Sequence, residues 1–181
     1  MGTDTRLPKQ LCVAVVADNE PMRGVIIEML RSFGLASFVV ASNGIDALRK
    51  MAAHHPHVIV ADCLMQPMSG VTMTQMIRRS EAKLNPHTPI VMITGHGEYD
   101  TVAMARDAGA SEVLAKPITG NALLARIKAS IEKPRPFVRG GDFYGPDRRR
   151  RNLGPFGAER RRLQPIIEYQ PQSAERASHM R

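Results

Sequence analysis

Two hydrophobic rhythms take turns along the first 133 residues, and that alternation restricts the chain to very few architectures. Residues 11–17 form a nearly continuous apolar run with three valines, short enough for a strand covered on both faces. Directly after it, Met22, Val25, Ile26, Met29 and Leu30 recur at the spacing of one helix face. Asp18 or Asn19 is available to cap that helix, and Gly34 sits where a helix would stop. The pair then repeats. Strands are expected at 37–41, 58–61, 90–94 and 112–115, and helices at 44–53, 70–79, 99–108 and 119–132. The last helix turns Leu123, Leu124, Ile127 and Ile131 inward. Five strand–helix units joined by right-handed crossovers make an α/β fold, a doubly wound five-stranded parallel sheet with helices on both faces.

Open sheets of this kind gather their chemistry beyond the carboxyl ends of the strands. Those ends carry Asp18, Asp62, Thr94 and Lys116-Pro117. Two neighbouring carboxylates repel unless a cation joins them, and hard oxygen donors in a partly hydrated site suit Mg²⁺, which takes one or two carboxylates, waters and a phosphate. A phosphoryl group reaching Asp62 would have its spreading charge met by the metal, by the Lys116 ammonium and by the Thr94 hydroxyl. A carboxylate can itself be the nucleophile, giving an aspartyl phosphate.

Several segments in order carry a family pattern: Val15-Val16-Ala17-Asp18-Asn19-Glu20, Val60-Ala61-Asp62-Cys63-Leu64-Met65, Met68-Ser69-Gly70, Val91-Met92-Ile93-Thr94-Gly95, Ala108-Gly109-Ala110 and Lys116-Pro117. Over residues 11–132 the chain resembles the receiver domain of bacterial two-component response regulators, of the chemotaxis type. The resemblance implies a flavodoxin-like strand order 2-1-3-4-5, which is the family's own and not a result of the periodicity. It implies Asp62 as phosphoacceptor, Thr94 as switch hydroxyl and Lys116 as phosphate-binding ammonium. It implies Mg²⁺ held by Asp18, Asp62 and the main-chain carbonyl of Leu64, and a cis bond at Lys116-Pro117. The implied protein is a stand-alone response regulator that catalyses only its own phosphorylation and is not an enzyme. Its implied partners are a histidine kinase or phosphotransfer protein, a downstream protein target and a second copy in a homodimer.

The pattern is broken in three places. Ala17 stands where the family has the first of two adjacent acids, which lowers the pocket charge by one and weakens metal binding; Glu20 is the nearest further acid. Val113 replaces the strand-five aromatic that relays the switch. The loop after Asp62 carries Gln66-Pro67, and Ser69 replaces an acid before Gly70. The first two departures raise an alternative, a pseudo-receiver scaffold that binds partners independently of phosphate. His54, His55 and His57 flank Pro56 on the opposite rim and read as solvated loop, and Cys63 reads as packing.

Composition changes near Lys133-Pro134. The last 48 residues hold eleven arginines against five acids, five of the eight aromatics and six of the thirteen prolines. The expected organisation is an N-terminal extension at 1–10, the receiver domain at 11–133, and an irregular basic tail at 134–181, largely disordered or docking on a partner. Within the tail, Tyr144-Gly145-Pro146-Asp147-Arg148-Arg149-Arg150 reappears as Phe156-Gly157-Ala158-Glu159-Arg160-Arg161-Arg162. Arginines interleaved with aromatics suit nucleic acid or another anionic surface, and Ile166, Ile167 and Tyr169 offer apolar anchors for folding back. Two distant cysteines exclude a disulfide framework. No apolar run nears the roughly 20 residues of a membrane span, so a cytoplasmic protein is expected.

Overall fold

Side chains of a strand point alternately to its two faces, and in this chain both faces are apolar, so the sheet has to be covered twice. The computed structural model describes residues 7–8, 10–82, 84–95, 99–141 and 143–148. Its strands β1 (Cys12–Val16), β2 (Ser37–Ala41), β3 (Val58–Asp62), β4 (Ile90–Thr94) and β5 (Glu112–Ala115) form one parallel sheet in the order β2-β1-β3-β4-β5. Between and after them run α1 (Glu20–Ser32), α2 (Gly44–His54), α3 (Gly70–Arg78), α4 (Tyr99–Asp107) and α5 (Gly120–Glu132). Every strand and helix expected from periodicity is present, with ends shifted by no more than about two residues, the usual uncertainty of a helix or strand end.

The alternation sorts the core into two layers. Ala14, Val16, Ile59, Ala61, Ile90 and Met92 pack under α2, α3 and α4, where Ala47, Met51, Met73, Ile77 and Ala105 meet them. Val13, Val15, Val58, Val60, Val91 and Ile93 face α1 and α5, meeting Ile26, Leu30, Leu123 and Ile127. Leu7, from the expected N-terminal extension, is buried in this second layer, and its amide donates to the Phe33 carbonyl.

Local chemistry sets the helix ends. Asn19, rather than Asp18, caps α1 by accepting from the Met22 amide at 2.8 Å. Asn43, Ser69 and Thr119 do the same for α2, α3 and α5. Gly34 ends α1 at φ +92°, a left-handed conformation that costs glycine little. At the far rim His57 helps to hold the start of β1, its Nδ1 accepting from the Cys12 amide at 3.0 Å.

Residues 134–148, assigned from composition to an irregular tail, are not all irregular. Phe137–Gly140 (β6) and Phe143–Pro146 (β7) pair antiparallel as a hairpin and pack against the rim where strands β4 and β5 begin. Phe137 is buried, lies edge-on to His87 at 4.6 Å and carries the Arg78 guanidinium over its ring at 5.2 Å. Each strand has only four residues, with glycine, arginine or proline among them, so the hairpin's stability comes from what it packs on. Residues 144–148 of the first copy of the tail repeat therefore form β7 and its exit, while Arg149 and Arg150 lie outside the described residues. The second copy, like Ile166, Ile167 and Tyr169, lies outside the described residues.

Arg78, at the end of α3, is a buried cation. It donates to the carbonyls of Gly109 (2.8 Å) and Thr88 (2.9 Å) and to that of Pro86. Burial pushes its guanidinium down to about 9, and the carbonyls offset part of that desolvation.

On the surface of α2, Asp46 bonds Lys50 and Arg49, which hold its carboxyl down at about 2. A carboxyl lowered on folding adds stability above its unfolded value, and this contribution is lost as pH falls through the folded one. Asp46→Asn is therefore expected to cost about 0.5–1 kcal/mol at neutral pH. The difference from wild type in urea unfolding should shrink as pH falls from about 4 toward 2.

Candidate functional site

Asp62 is the last residue of β3, with its side chain 8% exposed, and it would be costly there without a partner. The partner is Lys116, one residue past β5, whose Nζ donates to Asp62 Oδ2 at 2.7 Å. The two strands are not neighbours: β4 lies between them. The Lys116 amide donates to the Thr94 carbonyl at 2.8 Å, and the Cys63 amide to the Ile93 carbonyl at 2.9 Å, which aligns the three strand tips. Lys116-Pro117 is cis, as the family pattern implied, and Gln66-Pro67 is cis as well.

A cleft of about 420 Å³ opens at these tips, lined by Asp18, Asp62, Leu64 and Lys116 together with Asn19, Met22, Cys63 and Gly95. Four of the five residues singled out from sequence thus share one cleft. Thr94 does not line it; its neighbour Gly95 does, while the Thr94 Oγ1 is fully buried and has no hydrogen-bond partner. A buried hydroxyl without a partner is an uncompensated cost of about 1–3 kcal/mol. Glu20, the acid nearest to the gap left by Ala17, starts α1, is exposed and does not line the cleft.

Two residues that sequence reasoning missed shape this site. Arg23, one turn into α1, donates through Nη1 to the carbonyls of Ala17 (2.6 Å) and Asp18 (3.0 Å), so its charge fixes the turn that presents Asp18. The available signal was an arginine four residues after the capping Asn19, on the same helix face. Gly70 belongs to the family pattern, which by itself gives it no physical role. A Cβ there would lie 2.1 Å from the Asp62 carbonyl oxygen, so only glycine lets α3 begin this close to the end of β3. Gly44 stands in the same relation to the intervening loop, where a Cβ would meet the Met68 side chain at 2.6 Å.

The donor set discriminates between metals. Among the described residues no group of three or more His, Cys, Asp or Glu converges, so a zinc-type or all-carboxylate cage is excluded there. Two carboxylates in an open cleft that Leu64 also lines match a cation that keeps its waters and shares a phosphate, which is the habit of Mg²⁺. The residues present therefore fit Mg²⁺.

Strand order and cleft together define a class, a flavodoxin-like α/β domain with a carboxylate–ammonium cleft at its strand tips. The chain belongs to the family of response regulator receiver domains, whose family model matches residues 13–128. Protein PilG of Pseudomonas aeruginosa is 30% identical over 121 residues, which are 67% of this chain and 87% of that protein. A response regulator receiver domain protein from Clostridium thermocellum superposes with a TM-score of 0.60 at 27% identity, covering 67% of this chain and 94% of the other. The chemotaxis protein CheY4 of Vibrio cholerae gives 0.59 at 25% identity, with 65% and 96% covered. The chain thus contains the receiver domain of a two-component response regulator. No helix among the described residues is long and apolar enough to cross a membrane.

The Gly70 contact has a direct consequence. Gly70→Ala should force α3 away from β3 and destabilise the domain by about 2–3 kcal/mol in urea unfolding, whereas Gly24→Ala, with nothing within 4 Å of the added methyl, should not destabilise it.

Proposed function

We propose that the protein is a stand-alone response regulator that accepts a phosphoryl group on Asp62. The single observation that carries this reading is the pairing of a buried strand-end carboxylate with Lys116 in a cleft that also takes in Asp18. Asp18, Asp62 and the Leu64 carbonyl would hold Mg²⁺, which when bound neutralises charge on the phosphoryl oxygens. A carboxylate oxygen of Asp62 attacks the phosphorus of a phosphohistidine donor; a P–O bond forms, the P–N bond breaks, and the bonding pair leaves with the donor imidazole. Lys116 moves its contact from the carboxylate to a phosphoryl oxygen. The Thr94 hydroxyl, now without a partner, gains one. The donor is a histidine kinase or phosphotransfer protein, and the output is a protein–protein contact with a downstream target or a second copy. The chemistry modifies only the protein itself, in the cytoplasm, and turns over no separate substrate.

One observation favours a second reading, a scaffold that binds partners without phosphate: Ala17 is fully buried and brings no carboxylate to the cleft. Incubation with a small phosphodonor separates the two. The phosphoacceptor reading expects a phosphoryl mass increment that requires Mg²⁺ and is lost in Asp62→Asn; no increment at high Mg²⁺ selects the scaffold.

Restoring the missing acid should act in the opposite direction. Ala17→Asp is expected to tighten Mg²⁺ binding on the order of tenfold, measured by calorimetric titration. Unchanged affinity would mean that position 17 does not reach the metal's hydration shell.

A further inference from the structure

Helix α4 is held to the sheet unlike its neighbours. Among the described residues of α4 those that are buried are small, Thr101 and Ala105, with Ala108 just past its end, while Val102 and Met104 face outward. By contrast α3 buries Met73 and Ile77, and α5 buries Leu123 and Ile127. The strand-five residue beneath this layer is Val113, smaller than the family's aromatic. Attraction to the sheet follows apolar area removed from water, and the described side chains that α4 buries are smaller than those of α3 or α5.

What α4 lacks inward it gains at its C-terminal end. The β6–β7 hairpin reaches that end and the turn after it from outside. Arg135 donates to the carbonyls of Ala110 and Ser111, and also to that of Asp147 just past β7. Gly145 sits so close that a Cβ there would lie 3.0 Å from the Gly109 Cα. Tyr144 bonds the His87 ring at 3.1 Å, and Arg148 pairs with Asp107, the last residue of α4, at 2.9 Å. That last pair is largely exposed and adds little by itself; the main-chain bonds of Arg135 and the buried Gly145 contact carry the grip.

We propose that the hairpin is an intramolecular strap that holds the C-terminal end of α4 against the sheet, so that α4 shifts only when the hairpin lets go. The strap accounts for the first copy of the tail repeat, since its tyrosine, its glycine and its first arginine each meet the rim beside α4. It also ties the origin of the arginine run to the helix that starts four residues after Gly95 at the cleft. This inference goes beyond the phosphoacceptor reading and does not depend on it.

Hydrogen–deuterium exchange on the full chain tests the strap. Arg135→Gln cuts the main-chain bonds without removing apolar packing, and Gly145→Val blocks seating on Gly109. The expected result in both is loss of protection at 137–146 and exchange in α4 faster by about tenfold or more, with α5 unchanged. Arg148→Gln should alter α4 exchange by less than about threefold. Unchanged α4 exchange with a freed hairpin overturns the strap. So does a hairpin that stays protected in both variants, because the named contacts then do not hold it. Loss of α5 protection in both variants also overturns it, since the hairpin would then belong to the global fold.

Discussion

A carboxylate almost withdrawn from water at the end of a buried strand is the constraint around which this domain is organised. Asp62 keeps that position because Lys116 reaches it across β4. Without Lys116 the mostly buried carboxylate would lose its ion-pair partner. The pair ties the end of β3 to the end of β5 across β4, beside the main-chain bonds that align the three strand tips. The Thr94 hydroxyl, at the end of the intervening strand, is buried and without a partner.

The corner between β1 and α1 meets a different requirement. With no carboxylate at position 17, a single acid, Asp18, stands opposite Asp62, and it is exposed. Its orientation rests on the backbone, which Arg23 grips through two carbonyls while Asn19 caps the helix. On the other side of the cleft Gly70 lets α3 begin against the Asp62 carbonyl. Both devices act on main-chain position. The precision of the cleft thus depends on residues whose side chains do no chemistry in it.

The opposite rim is built from cations and aromatics. Arg78 is buried beneath Phe137 and reaches carbonyls on both connections flanking β4 and α4. Arg135 reaches the start of β5 from outside. Main-chain carbonyls accept from both guanidinium groups, and for the buried Arg78 this offsets part of the cost of desolvation. One rim of the sheet carries the carboxylate–ammonium cleft, and the other carries the contacts that hold the hairpin in place.

The sequence by itself determined the five strands and five helices, since the switch from one apolar period to the other decides which segments can bury a face. It also determined which polar residues end the strands, because Asp18, Asp62, Thr94 and Lys116 each follow an apolar run. Strand order and residue roles came by resemblance, since periodicity carries no information about which strands are neighbours. Only the tertiary structure decided that Asp62 and Lys116 meet across an intervening strand, that Glu20 stays out of the cleft, and that Arg23 and Gly70 hold its walls. The hairpin at Phe137–Gly140 and Phe143–Pro146 was decided there too. Its strands are too short and too rich in glycine, arginine and proline to announce themselves, and the hairpin is stable because His87, Arg78 and Gly109, distant along the chain, come together to receive it.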